Sequence, residues 1–141
     1  ETIVFYLRVA LERLSTGLTI ASEKNIVRRR GSMRPDISIW RGDRLISAIE
    51  CKTQLGWNRD GWLLDFQNRE HRLRVDCPDA KLYLLVMTGS NWPGFGDDVR
   101  LGRQFFVLLK DTWPRDIEVI SPDLLTHRFE SLVNEIIAAA A

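Results

Sequence analysis

The sequence predicts an α/β fold with a mixed central sheet flanked by helices. Two observations support this class. Short apolar runs, alternating or continuous, are typical of strands, and longer segments with apolar residues at three- and four-residue spacing are typical of helices. The order is helix, three strands, helix, two strands and a final helix. A length of 141 residues with 45% hydrophobic content suits a single domain over residues 1–141.

The first helix and strand are predicted at the N-terminus. Residues 3–14 carry apolar side chains at helical spacing, and Ser15-Thr16-Gly17 ends this helix. Residues 18–27 indicate a strand, although their alternation is imperfect. A basic loop containing Gly31 follows.

A hairpin over residues 36–53 is the clearest local pattern in the chain. In its first strand, 36–40, Ile37 and Ile39 point to one side and Asp36 to the other. Gly42 lies in the turn, where a positive φ is easily adopted. The second strand, 45–53, completes the pair.

The second half of the chain predicts a crossover and further buried strands. Residues 61–75 form a helix with an apolar stripe, and 81–88 and 104–110 are nearly continuous apolar runs typical of covered strands. A long glycine-rich loop spans 89–102. The remaining predicted elements are a short strand at 117–120 and a helix that opens at Ser121-Pro122-Asp123 and frays over Ala138–Ala141.

Two carboxylates and a lysine meet at one end of this hairpin. The period of two places Glu50 and Lys52 on one face of the second strand, with Ile49 and Cys51 on the other. Asp36, near the start of the partner strand, lies across from them. Hard oxygen ligands of this kind suit Mg²⁺ or Mn²⁺, which generates a nucleophilic water beside the lysine. The chemistry indicated is hydrolysis of a phosphodiester.

Pro35-Asp36, thirteen intervening residues and Glu50-Cys51-Lys52 resemble the signature of the PD-(D/E)XK nuclease superfamily, which includes restriction endonucleases. The resemblance covers a core of about 90 residues, from Leu7 to roughly Leu109. It implies a restriction endonuclease-like αβββαβ core with one added strand and helix. It also implies a Mg²⁺-dependent endonuclease acting on DNA in restriction, defence or repair, with Mn²⁺ able to substitute.

The resemblance further implies roles for individual residues. Asp36 and Glu50 would bind the metal together with the backbone carbonyl of Cys51, and Lys52 would act on the attacking water or the phosphate. Many members add a glutamate from the first helix, which would be Glu12. A polar residue soon after the lysine, Thr53 or Gln54, would support the site or touch the nucleic-acid backbone. The polar face of the second helix, with Gln67, would meet nucleic acid.

Charge is unevenly distributed although the net charge is only +1. Residues 23–44 carry seven basic and three acidic side chains, whereas residues 111–141 carry two basic and six acidic ones. A basic segment next to the carboxylates would attract a polyanion. The sequence therefore predicts phosphate contacts from the arginines of this segment: Arg28, Arg29, Arg30 and Arg34.

Composition also bounds the setting of the protein. There is no apolar run long enough to span a membrane and no basic-then-apolar leader, and Cys51 and Cys77 do not suggest a disulfide framework. We expect a cytoplasmic location and no membrane partner. Because the chain starts with Glu1, we expect a piece of a longer protein, with further domains or a homodimer left open.

Two alternatives to a nuclease remain open at this stage. The charged residues of the hairpin could form a solvated cross-strand ion pair of little energetic weight. The chain could also be a catalytically degenerate nuclease fold that binds nucleic acid or protein partners without cutting.

Overall fold

The computed structural model of the chain describes residues 2–14, 16–55, 59–88, 98–109 and 122–141. These residues form an α/β fold with a five-stranded, mixed, open sheet and three helices, which confirms the predicted class. The elements in chain order are α1 (Thr2–Arg13), β1 (Thr19–Ser22), β2 (Ile37–Arg41), β3 (Arg44–Gln54), α2 (Arg59–Asp76), β4 (Lys81–Thr88), β5 (Phe105–Leu109) and α3 (Pro122–Ala140).

The strands lie in the sheet in chain order, β1-β2-β3-β4-β5. β1, β2 and β3 form an antiparallel meander, and β4 joins β3 in parallel through α2, which makes the crossover predicted from the sequence. β5 pairs with β4 in parallel. Since β3 and β4 run in the same direction, α2 begins near the end of β3 and returns along the sheet to the start of β4.

Helices α1 and α3 cover one face of the sheet. Leu7 and Leu11 of α1 and Leu132 and Ile136 of α3 are almost completely buried in the same apolar cluster. The strand side chains in this cluster include Ile37, Ile39, Ile49, Tyr83, Leu85, Phe106 and Leu108. The alternation predicted for the hairpin thus places Ile37, Ile39 and Ile49 on one face of the sheet, the face covered by α1 and α3.

Helix α2 covers the opposite face. Phe66 and Leu73 of α2 pack in a second apolar cluster, and the ring of Phe105 meets the ring of Phe66 edge to face at 5.1 Å. Ile26 and Met33 of the segment between β1 and β2 are buried in the same cluster. This segment therefore packs on the sheet beside α2 and forms part of the core.

Strand β1 is shorter than the predicted strand over 18–27. It ends at Ser22 because Glu23 has a positive φ of 46°, which breaks the extended conformation. The N–H of Glu23 donates to the carbonyl of Asp36 at 3.1 Å, so the chain leaves the sheet next to the start of β2.

The end of α3 differs from the predicted fraying over Ala138–Ala141. The helix continues to Ala140, which is buried. The Arg41 Nη1 donates to the carbonyl of Ala140 at 2.7 Å and satisfies a carbonyl that the helix leaves without a partner. Fraying was predicted from the polyalanine sequence, which does not reveal this distant arginine.

The central hairpin contains a β-bulge that strict alternation does not predict. Trp40 pairs with Leu45, whereas Ile39 pairs with Ser47, so Ile46 is an extra residue in β3. The bulge sends Leu45 to the α2 face, and beyond it the pairing is regular. The turn itself is as predicted, with Gly42 at a φ of 60°.

Two predicted features fall on residues that the structure does not describe. The short strand at 117–120 lies outside the described residues, and so does most of the predicted loop 89–102. Among the helices of the described residues, none combines the length and the apolar character needed to cross a membrane.

We expect the two leucines of α2 to differ sharply in their contribution to stability. Leu73 is 1% exposed and Leu64 is 59% exposed, so Leu73→Ala leaves a cavity whereas Leu64→Ala removes only surface contact. Leu73→Ala should lower the free energy of unfolding by about 2 to 5 kcal/mol. Leu64→Ala should change it by less than about 0.5 kcal/mol. Urea unfolding of both variants measures this; equal losses would contradict the packing of α2.

Candidate active site

The pairing of β2 with β3 places Asp36 beside Glu50. Ile37 pairs with Ile49, and continuing this antiparallel register by one step sets Asp36 against Glu50. Directly opposite residues have Cα atoms about 4.5 to 5.5 Å apart. Asp36 therefore lies at the end of the sheet next to Glu50, on the face that α2 covers.

The Asp36 carboxylate is oriented by the backbone of β3. Its Oδ2 accepts a hydrogen bond from the N–H of Cys51 at 2.7 Å. The same register sets Pro35 opposite Cys51, and proline has no N–H to donate. In an extended strand the N–H and carbonyl of a residue point to the same side, so the Cys51 carbonyl also faces the side of β3 on which Asp36 lies. Pro35 cannot supply a ladder donor to it.

Glu50 is a buried carboxylate with an arginine partner. Its side chain is 5% exposed, and its Oε1 lies 2.8 Å from Nη1 of Arg69 in α2. Burial raises the pKa of Glu50 above its usual range, Arg69 opposes this effect, and the nearby Asp36 adds to the increase. Negative charge is therefore costly at the position of Glu50, and the guanidinium group of Arg69 offsets part of that cost.

Lys52 is the third charged side chain of the site, after Asp36 and Glu50. It is two residues beyond Glu50 on β3, on the same face, and its side chain is exposed. Lys52 and Glu50 line a small cleft of about 30 Å³ between the end of β3 and the first half of α2. The other residues of its lining are Leu55, Trp62, Asp65, Phe66, Arg69 and Leu84. The cleft thus combines charged side chains with an apolar floor.

The donor set is suited to a hard divalent cation. Two carboxylates from neighbouring strands and the Cys51 carbonyl are all oxygen ligands, and Mg²⁺ is commonly bound by one or two carboxylates together with water and substrate phosphate. Within the part of the chain that the structure describes, no three side chains of His, Cys, Asp or Glu are grouped so as to hold a metal ion. The residues that would hold Mg²⁺ are thus Asp36, Glu50 and the carbonyl of Cys51, with water and substrate as the remaining ligands.

The Cys51 thiol is separate from this donor set. The side chain packs against the cluster on the α1 and α3 face, opposite Glu50. Burial raises the pKa of the thiol to about 12, with further contributions from the negative charges of Asp36 and Glu50. Only the backbone of Cys51 is thus available to the site.

The structure does not bring Glu12 to the two carboxylates. Helix α1 packs on the other face of the sheet, and Glu12 is exposed near its C-terminal end. That end is joined to Thr19, which pairs with Trp40 near the hairpin turn, whereas Asp36 lies at the opposite end of β2. The direction of α1 thus separates Glu12 from the site.

The four predicted arginines lie on the segment that packs beside α2. Arg29 pairs with Asp76 at 2.8 Å, and Asp76 is two helical turns, or roughly 10 Å, beyond Arg69. Arg34 donates from Nε to the carbonyl of Glu23 at 2.5 Å. Arg28 and Arg30 are exposed. The arginines thus border the α2 face without contacting Asp36 or Glu50.

The two predicted glutamines are both exposed. Gln54 ends β3, and the period of two puts it on the same face as Glu50 and Lys52. Gln67 lies on α2, two residues before Arg69. Of the two, Gln54 is the one that the strand period aligns with the site.

Arg69 is the site residue that sequence reasoning missed. It is not among the residues predicted for the site, but it contacts Glu50, the more buried of the two carboxylates. The signal was its spacing: Arg69 lies three residues after Phe66 and four before Leu73, on the stripe that faces the sheet. An arginine on the apolar stripe of a helix needs a buried acidic partner.

We expect the stability of the protein to depend on the pH through Glu50. Because the pKa of Glu50 is raised in the folded state, folding favours its protonated form, and this contribution is lost as the pH rises from the usual value of 4.5 through the folded pKa. Glu50→Gln cannot titrate. The free energy of unfolding of Glu50→Gln, relative to that of the parent, should therefore increase as the pH rises from about 4 to 7.

Denaturant unfolding in the presence of a chelator, at several pH values, measures this difference. Glu12→Gln alters an exposed carboxylate of the same type and controls for the general loss of one negative charge. If the parent instead becomes more stable relative to Glu50→Gln as the pH rises, the effect of burial on the pKa of Glu50 is contradicted.

Comparison of the chain with protein-family models, curated proteins and solved structures finds no match. The resemblance to the PD-(D/E)XK superfamily therefore rests on the residues themselves. These are Pro35, Asp36, Glu50 and Lys52, together with the place that the hairpin gives them at the end of the sheet.

Proposed function

We propose that this protein is a Mg²⁺-dependent deoxyribonuclease with a restriction endonuclease-like core. The observation that carries the proposal is the position of Asp36 and Glu50 side by side where β2 begins, with Lys52 on the same face of β3. The meander, the crossover helix and the parallel fourth strand support it, because the αβββαβ core has this order. Mn²⁺ is expected to substitute for Mg²⁺.

In the proposed mechanism, Asp36, Glu50 and the carbonyl of Cys51 hold the cation. Bound Mg²⁺ lowers the pKa of water and neutralises charge on the phosphate. The hydrogen bond from the N–H of Cys51 fixes the orientation of the Asp36 carboxylate before the cation arrives. Lys52 lines the cleft, where its ammonium group would orient the attacking water or stabilise the negative charge that develops on phosphorus.

DNA is the proposed substrate because cationic side chains lie on the segment that packs beside α2, on the face of the sheet that carries Glu50. Arg28 and Arg30 are exposed on the segment between β1 and β2, and Arg29 keeps 60% of its side chain exposed while it pairs with Asp76. Exposed guanidinium groups bind phosphate in a bidentate manner and position a duplex without reading its sequence. Gln54 lies beyond Lys52 on the same face and is the proposed polar contact to the backbone.

A second function, binding without cleavage, is favoured by one observation. Arg69 of the chain itself forms an ion pair with the buried Glu50 and so neutralises its carboxylate. A degenerate nuclease fold that binds nucleic acid or a protein partner would retain such a pair. Metal binding and cleavage distinguish the two functions.

We expect Lys52→Ala to fold as the parent does and to lose cleavage. The side chain is exposed, so its removal creates no cavity, and loss of a group of this kind costs roughly 100-fold to 10,000-fold in rate. Cleavage of supercoiled plasmid with Mg²⁺ or Mn²⁺ measures the rate. Lys81→Ala, an exposed lysine at the other end of the parallel pair, is the matched control. Cleavage by Lys52→Ala at the parental rate would rule out the assigned role.

We expect Asp36→Asn to abolish the binding of Mn²⁺ as measured by calorimetry. Asparagine can still accept the hydrogen bond from Cys51, so the fold should persist while the negative charge is lost. Asp79→Asn, an exposed residue in the turn after α2, is the control and should bind like the parent. If the parent itself binds no Mn²⁺, the binding module becomes the better account of the protein.

A further inference from the structure

Arg69 lies between two acidic side chains at the mouth of the cleft. Its Nη1 is 2.8 Å from Oε1 of Glu50, and its Nε is 3.7 Å from Oδ2 of Asp65, one turn earlier on α2. Glu50 is 5% exposed and Asp65 is 62% exposed. The arginine therefore has a buried partner and a solvent-exposed partner within reach of the same guanidinium group.

The carboxylate that Arg69 contacts is also one that the proposed metal needs. A guanidinium group within hydrogen-bonding distance of Glu50 repels a divalent cation bound by the same carboxylate, and burial of that carboxylate leaves the repulsion weakly screened. The two carboxylates need a positive neighbour, because Glu50 is almost fully buried and Asp36 lies beside it. Arg69 supplies that charge from the opposite wall of the cleft.

We propose that Arg69 is a counter-ion gate for the metal site. In the absence of a cation its guanidinium group binds Glu50, and a divalent cation binds by displacing it towards Asp65. This inference rests on the proposed metal site formed by Asp36 and Glu50. It adds that the affinity of the site for the cation is set by competition with a residue of the protein itself.

Other roles for Arg69 predict different behaviour. If Arg69 only held Glu50 in place, its removal would weaken metal binding, because the carboxylate would lose its position. If it contacted only the phosphate of the substrate, its removal would leave metal binding without substrate unchanged. The gate alone predicts tighter binding once the competing charge is removed.

The test is calorimetric titration of the substrate-free chain with Mn²⁺ at pH 7.5. Close charge pairs couple strongly, so Arg69→Gln should lower the Kd for Mn²⁺ about tenfold or more relative to the parent. Arg74→Gln is the matched control. Arg74 is also on α2 and also pairs with an acidic residue four positions earlier, Glu70, at 3.5 Å, but it does not contact Glu50. Its Kd should stay within about twofold of the parental value.

The outcomes separate this inference from the proposed function. A lower Kd in Arg69→Gln and an unchanged Kd in Arg74→Gln support the gate. If the parent binds Mn²⁺ and Arg69→Gln binds it equally or more weakly, the gate is wrong and the metal site stands. If neither protein binds Mn²⁺, both the gate and the metal site are wrong.

A measurement on the parent covers the case in which Arg69→Gln does not fold. In a ¹⁵N-labelled protein, the Nε–Hε resonance of Arg69, assigned through its own side chain, should move as Mg²⁺ is added. Its midpoint should agree with the calorimetric Kd for Mg²⁺, while the resonance of Arg74 stays in place. An Arg69 resonance that is unaffected by saturating Mg²⁺ would overturn the gate.

Discussion

Two carboxylates held side by side at the end of a sheet are the constraint on which the arrangement of this site depends. Asp36 and Glu50 come from neighbouring strands, and the register of the hairpin leaves them no freedom to separate. At about 5 Å, two such charges repel by roughly 1 kcal/mol in water and about 3 kcal/mol at an effective dielectric of 20. Burial beneath α2 moves the pair towards the second case, so a positive charge must lie nearby. Arg69 provides it within hydrogen-bonding distance, and Lys52 adds a second from the solvent side.

The crossover connection decides where that positive charge can come from. Since β3 and β4 are parallel, the chain must return to the start of the sheet between them, and α2 makes this return over the face that carries Glu50. Phe66 and Leu73 hold the helix on the sheet. Arg69 lies between these two residues on α2, so the packing that stabilises the fold also places its guanidinium group against the carboxylate of Glu50. The site and the core are therefore coupled through one helix.

The local pattern was sufficient to predict most elements and the shared face of Glu50 and Lys52, because the period of two determines which residues of one strand point the same way. The same pattern with a two-residue turn and no bulge would set Asp36 against Ile49, so the bulge is what brings Asp36 opposite Glu50. The local pattern was also insufficient where a distant contact decides the outcome. Arg41 extends the last helix to Ala140, and the extra residue Ile46 changes the face of the strand without any marker in the sequence. Arg69 is a further example. Its position on the apolar stripe of α2 can be read from the sequence, but its partner depends on how α2 packs on the sheet.

There is a physical reason for a proline directly before Asp36 in the hairpin. At the position opposite Cys51, any other residue could donate an N–H to the Cys51 carbonyl and extend the ladder by one more pair. Proline cannot, so this hydrogen bond to the Cys51 carbonyl is missing where β2 begins. The N–H of Cys51 donates to the carboxylate of Asp36. The ladder thus gives way to a side chain at the point where the proposed site needs an oriented carboxylate. A backbone carbonyl that proline leaves without a ladder donor is a natural third ligand for a cation held by Asp36 and Glu50.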